Sequence, residues 1–368
     1  MTNQVPNPFL DPKSRSHSVD AAYHREETAL ANRNHGMLLE ALRHDVTPAG
    51  LHYLLIHFDV PYVADASQWR LSIGGRVATP FDITLDEIKR LPQKTLRVTL
   101  ECAGNGRSNM SPRWPSMPWM EGAVGTAEWT GTPLRPLLER AGLLSDAVDV
   151  VFTGADRGYD KVEHNYGRAL SPAHAMRDDV LLVTAMNGQP LLPQHGFPLR
   201  LIVPGWYGMA SVKWLDRVEV WDRKFDGPQQ VDTYIFKQDR SDPGVPVTSI
   251  RVKSLMVPPG MPDWYTRRRL VEAGPVTVHG RAWSGDGVAI AKVEFGCDGV
   301  WQTAELGPAV GGRYAWRAWS CRWQAVKGEH ELTCRATDAN GQVQPVEPRF
   351  DNGGFGNTAV HRVMVTVR

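Results

Sequence analysis

One cysteine carries the strongest chemical signal in this 368-residue chain. Cys102 lies in Leu100-Glu101-Cys102-Ala103-Gly104-Asn105-Gly106-Arg107. The apolar run at 96–100 predicts a strand, and the thiol stands at its end, followed by turn-forming residues and an arginine. A thiolate is the form that binds soft metals or attacks electrophiles, and a neighbouring cation favours it. A buried structural cysteine beside a loop is an equally fair reading of these residues alone.

Other segments also have the make-up of a binding site. Phe152-Thr153-Gly154-Ala155-Asp156 places an acid just after a strand, and Met186-Asn187-Gly188-Gln189-Pro190 is a tight turn. His195-Gly196-Phe197-Pro198-Leu199-Arg200 brings a histidine and an arginine into one loop, and Ser211-Val212-Lys213-Trp214 adds a hydroxyl and a cation. Glycine-rich backbone with Arg, Lys, Ser and His is what a phosphate-bearing cofactor needs. Neither G-x-G-x-x-G nor G-x-x-x-x-G-K-[ST] occurs, so these patterns give no sign of a dinucleotide or P-loop nucleotide.

The elements that would position these groups fall into two regimes. Residues 1–35 are polar, with Pro6, Pro8 and Pro12, and read as an arm. Residues 36–240 read as a mixed α+β domain, because helices and strands alternate without a βαβ period. A short helix is expected at 37–43. Thr84 and Glu87 form a capping box opening a helix that stops before Pro92. A second helix is expected from Thr132-Pro133-Leu134, with Pro133 at its first position and Gly142 near its end. Strands are expected at 148–153, 180–186 and 198–204. From 241 to 368 short alternating strands dominate, with a hairpin turn at Asn340-Gly341, which predicts an immunoglobulin-like β-sandwich.

Bulk properties narrow the function. The net charge is +1, which gives no electrostatic reason to expect nucleic acid or a membrane surface as partner. The four cysteines are too few and scattered for a disulfide framework, and no CxxC is present. There is no long apolar run and no apolar leader at the start, so a cytoplasmic location is expected. The tryptophans at 283, 301, 316, 319 and 323 are expected in the sandwich core or at an interface rather than in a redox path.

Taken in order, Glu101-Cys102-Ala103-Gly104-Asn105, Met186-Asn187-Gly188-Gln189-Pro190-Leu191, His195-Gly196-Phe197-Pro198, Val212-Lys213-Trp214-Leu215 and Ala282-Trp283-Ser284-Gly285 resemble the sulfite oxidase family of molybdenum enzymes. The resemblance runs from about residue 45 to the C-terminus. It implies a molybdopterin domain followed by an immunoglobulin-like dimerisation domain, hence a homodimer, in a short form without haem. It implies molybdenum-molybdopterin as cofactor, with Cys102 as the protein ligand to the metal, and oxygen-atom transfer to a small anion such as sulfite, the electron acceptor being unknown. By matching position, His57, Asp156, His195, Arg200, Ser211, Val212 and Lys213 fall where the family binds the pterin and its phosphate. Arg107, Trp119, Tyr234 and Arg317 fall where it lines the oxyanion pocket.

Two departures bear on the substrate. The family has Tyr-x-Arg-Asn-His where this chain reads Tyr53-Leu54-Leu55-Ile56-His57, and paired arginines where it reads Gly106-Arg107. Leucine cannot copy a bidentate guanidinium contact, and losing a charge-assisted hydrogen bond costs roughly 1.5–3 kcal/mol. The same centre acting on another sulfur compound is therefore a second reading, and a non-catalytic binding protein using its sandwich is a third.

Overall fold

The computed structural model describes residues 25–160, 162–239 and 241–368. Most of the expected arm therefore lies outside the described residues, and its end is a helix, Arg25–Arg33. The expected helix at 37–43 is a 3₁₀ helix, Leu39–Arg43, which buries Ala41 and Leu42.

Two five-stranded sheets build the N-terminal region. The first runs Phe81–Thr84, Arg70–Gly75, Leu215–Trp221, Asp149–Asp160, Val162–Leu170. The second runs Lys94–Glu101, Val124–Pro133, Leu181–Met186, Gln189–Pro190, with Arg200–Ile202 also paired to Leu181–Met186. Alternation decides which core each side chain enters. Leu182 and Leu201 join Leu71, Val150 and Phe152 in one core, whereas Leu181, Val183 and Ile202 join Val98, Leu100, Trp129 and Cys102 in another.

The capping box forms as expected. The Glu87 amide donates to Thr84 Oγ1 at 3.1 Å, and Glu87 Oε2 accepts from the Thr84 amide at 2.8 Å. The helix Leu85–Arg90 buries Leu85 and Ile88. The next helix starts later than expected, at Arg135–Ala141. Pro133 is the last residue of a strand, paired with Leu181, and Pro136 occupies the first helical turn instead. Gly142 closes that helix in the left-handed region at φ 67°.

The C-terminal region is a β-sandwich. Lys253–Met256, Gly274–Trp283, Arg317–Ala325 and Glu305–Leu306 form one sheet. The other contains six strands, with His361–Val367, Gly328–Asp338 and Ile290–Cys297 at its centre. Val278, Trp319 and Trp323 from one sheet meet Phe295, Leu332 and Val365 from the other. Cys321 and Cys334 are small core residues here, and all four cysteines are free thiols. No helix among the described residues is long and apolar enough to cross a membrane.

The two regions meet behind the cysteine loop. Lys253, fully buried, lies 3.5 Å from Glu101 and 2.9 Å from Glu121. Glu101 also accepts from Trp283 Nε1 at 2.9 Å and Asn105 Nδ2 at 3.0 Å. The residue preceding Cys102 is thus held by the sandwich.

Candidate active site

Cys102 stands where the Lys94–Glu101 strand ends, its amide bonded to the Ala123 carbonyl at 2.9 Å. It lies at the junction of two cavities that also share Leu55, His57 and Tyr234. Burial pushes the Cys102 thiol pKa up, and the Arg107 charge pulls it down. Gly104 permits that approach, because a Cβ there would sit 2.5 Å from Arg107 Nη2.

The inner cavity collects most of the residues expected to bind a cofactor. Asp156, His195, Arg200, Ser211 and Lys213 all line it. Each is placed by a local break in regular structure. The ladder between the strands Asp149–Asp160 and Val162–Leu170 shifts register between Thr153 and Arg157, which takes Asp156 out of the pairing. His195 ends a 3₁₀ turn, and Arg200 opens a strand. Lys213 donates to the carbonyls of Leu55 at 2.8 Å and Gln194 at 3.1 Å. Val212 is the exception: its side chain packs in the first core, and its carbonyl accepts from the Leu201 amide at 2.8 Å.

Several buried polar atoms in this cavity have no partner: Asp156 Oδ1, Arg200 Nε and His52 Nε2. Orphaned buried groups of this kind call for a ligand. Burial lowers the Lys213 pKa to about 7 against the pull of Asp156, and raises that of Asp156 to about 7 against the pull of Lys213. Burial, His52 and Arg200 push His195 down to about 2, so its imidazole is neutral. An arginine, a lysine, a neutral imidazole, a hydroxyl and a carboxyl together fit a phosphorylated pterin.

The outer cavity, about 370 Å³, contains Arg107, Trp119 and Tyr234 as expected. Arg107 is buried, donating from Nη1 to the Met117 carbonyl at 3.0 Å and from Nε to the Gly354 carbonyl at 3.2 Å. Tyr234 takes a left-handed backbone at φ 57°, and its hydroxyl is hydrogen-bonded to His57 Nε2 at 2.7 Å. Burial, Lys213 and Arg33 depress the His57 pKa to about 3, and burial raises that of Tyr234, so the pair is neutral. Leu55 and Ile56 make an apolar wall in place of the family's arginine and asparagine.

Arg317 lies elsewhere. It opens the Arg317–Ala325 strand, opposite Ala282, and its guanidinium donates to the carbonyls of Gly307 at 2.9 Å and Ile290 at 3.1 Å. It ties sandwich strands together and lines neither cavity at Cys102. Trp206 and Tyr207 are packing residues: Trp206 lies against His174 at 4.5 Å, and Tyr207 is buried.

Two lining residues, Tyr166 and His52, and one residue behind the lining, Arg168, escape a reading by motif. Tyr166 stacks on His57 at 4.6 Å, His52 meets His195 edge-on at 5.7 Å, and the Arg168 guanidinium lies 5.7 Å from the Tyr234 ring centre. Tyr166 and Arg168 sit on one strand with a parity that turns both toward the site, which is a signal only once the sheet is known. His52 lies five residues before His57, a weak hint at best.

The family described as oxidoreductase molybdopterin binding domain matches residues 57–229, and the one described as Mo-co oxidoreductase dimerisation domain matches residues 246–368. Sulfite oxidase of Gallus gallus is 35% identical over 344 residues, covering 86% of this chain and 72% of that one. Mitochondrial sulfite oxidase of Mus musculus is 35% identical over 350 residues, covering 88% of this chain. The chain spans 62% of the length of that mitochondrial relative. The crystal structure of the sulfane dehydrogenase SoxCD from Paracoccus pantotrophus matches 99% of each chain with a TM-score of 0.77, at 24% identity, a likeness of fold.

Proposed function

Because the chain belongs to the sulfite oxidase family of molybdopterin-dependent oxidoreductases, we propose that it oxidises sulfite to sulfate by oxygen-atom transfer. The cofactor is molybdenum-molybdopterin, which supplies the metal-centred two-electron chemistry when bound. The matched dimerisation domain supports a homodimer. The non-catalytic reading has no support among the relatives.

The carrying observation is the thiol of Cys102 at the meeting point of a polar inner cavity and an outer cavity that holds Arg107. In this reading Cys102 would bind the metal as thiolate, while Arg200, Lys213, Ser211 and His195 would hold the pterin and its phosphate. Arg107, fixed by the carbonyls of Met117 and Gly354, orients the anion. Trp119 lines the same cavity. The neutral His57–Tyr234 pair holds one proton between its ring nitrogen and hydroxyl, in the same cavities as Cys102.

The apolar wall of Leu55 and Ile56 favours a second substrate reading, another sulfur compound with less charge to bind. One assay separates the two. Molybdenum-loaded protein is given sulfite with ferricyanide as acceptor, and turnover with a low KM supports sulfite. A fully loaded protein that reduces no ferricyanide with sulfite would leave the second substrate class.

A further inference from the structure

We propose that Arg33, at the end of the N-terminal helix, is the second cation of the substrate pocket, holding the anion at the rim in place of the guanidinium absent at Leu55. The proposal rests on the reading of the outer cavity as an oxyanion pocket. Arg33, Leu55 and Arg107 line the same cavity. Arg33 is exposed at its mouth and has no hydrogen-bond or ion-pair partner among the described residues. Its charge acts on His57 inside the cavity, where it adds to burial and Lys213 in keeping the imidazole neutral.

The segment that carries Arg33 is fastened on both sides. Before it, Glu27, almost fully buried, pairs with Arg113 and accepts from the Ser116 amide at 2.9 Å. After it, Asn34 accepts from the Ile56 amide at 2.7 Å and donates to the Leu30 carbonyl at 3.0 Å. His35 and Leu54 exchange backbone hydrogen bonds at 2.8 and 3.2 Å. These bonds tie the helix end to the very segment, residues 54–56, in which the arginine is missing. Two anchors on either side fix the backbone from which this unpaired cation reaches the cavity.

The other cations nearby are committed. Arg107 spends Nε and Nη1 on backbone carbonyls, and Lys213 spends its ammonium on Leu55 and Gln194 toward the inner cavity. An anion entering the outer cavity therefore meets Arg33 first and the remaining face of Arg107 second. A rim guanidinium acts through capture and ionic-strength dependence more than through the chemical step.

The test uses the molybdenum-loaded protein and the variants Arg33→Gln, Arg33→Lys and Arg33→Gln with Leu55→Arg. Loading matters because the cofactor's own phosphate would then occupy the Arg200–Lys213 cavity and keep sulfate out of it. Steady-state sulfite kinetics are run across ionic strength, and sulfate binding is measured by calorimetry. Arg33→Gln should raise the sulfite KM and the sulfate Kd about tenfold at low salt, with kcat nearly unchanged and the gap closing at high salt. Arg33→Lys should keep part of the affinity, and the double variant should recover it. Arg33→Gln with wild-type sulfate Kd overturns the proposal, as does sulfate that binds neither protein. Loaded wild type that binds sulfate through Arg33 but never turns over sulfite would sink the substrate reading and leave the Arg33 assignment standing.

Discussion

Cys102 occupies a position where a thiol would ordinarily stay protonated: burial raises its pKa, and Arg107 is the leading opposing influence. A soft metal removes the conflict by taking the thiolate directly. Cys102→Ser should therefore keep the melting temperature within a few degrees while turnover falls by at least about a hundredfold. A serine variant with full turnover would refute the ligand assignment. Tyr234 is a different kind of residue. Tyr234→Phe removes one hydrogen bond to His57, so kcat/KM should fall about two- to tenfold. His57 is depressed to about 3 and Tyr234 is raised, so neither titrates between pH 5 and 9. The variant's pH–rate profile in that range should keep the wild-type shape. At this scale most of the site could be read in the chain, because Cys102, Asp156, His195, Arg200 and Lys213 sit in segments with distinctive neighbours. Arg317 misled because a match carried by tryptophans and alanines also describes an ordinary sandwich strand. Val212 turns its side chain into the core, so only its backbone can face a cofactor.

Among the elements, the Lys94–Glu101 strand matters most, since its end sets where the thiol stands. Its last residue, Glu101, is buried with Glu121 around a single Lys253, and Trp283 and Asn105 add hydrogen bonds. Removing the cation strands two carboxylates. Lys253→Met should cost about 3–5 kcal/mol at neutral pH, read from urea denaturation. The sign with pH follows from burial. Freed buried carboxyls have raised folded pKa values, so their penalty belongs to the ionised form and shrinks as pH falls. The variant should be closer to wild type at pH 5 than at pH 8; a gap that widens on acidification would mean that Lys253 is not neutralising Glu101 and Glu121. The same variant should also lose cofactor, because the loop after Glu101 is no longer braced. Elements with local chemistry were legible in advance: the Thr84–Glu87 box and the Gly142 cap are interactions within a few residues. Elements fixed by tertiary pairing were less so. Pro133 looks like a helix start, yet pairing with Leu181 extends the strand through it, and Pro136 takes that role one turn on. The break at residues 154–156, which frees Asp156, is a property of two strands together.

At the scale of the whole molecule, burial keeps His52, His57, His195 and His361 neutral among the described residues. His52 is depressed to about 4, His57 to about 3, His195 to about 2 and His361 to about 4, with burial the leading cause in each. The first three line the inner cavity, and His361 lies in the sandwich, where its Nδ1 accepts from the Met256 amide at 3.1 Å. An unfolded chain protonates such histidines near pH 6.5, whereas the folded chain holds them neutral to much lower pH. Between those values the unfolded state binds more protons, so stability falls as pH falls. Each histidine contributes a loss of about 2 kcal/mol between pH 7.5 and pH 5. Asp156, raised to about 7, acts in the opposite sense, because its folded form holds a proton that the unfolded chain has released. Glu101 and Asp351, also raised by burial, add to that offset. The four histidines outweigh that offset, so cofactor-free protein should lose several kcal/mol by urea denaturation on going from pH 7.5 to 5. His361→Gln, outside the lining of both cavities, should flatten that dependence by the share of one proton. A urea midpoint that holds steady across this window would show that the folded chain lets protons reach these rings, and that the two cavities at Cys102 open to water in the absence of their cofactor.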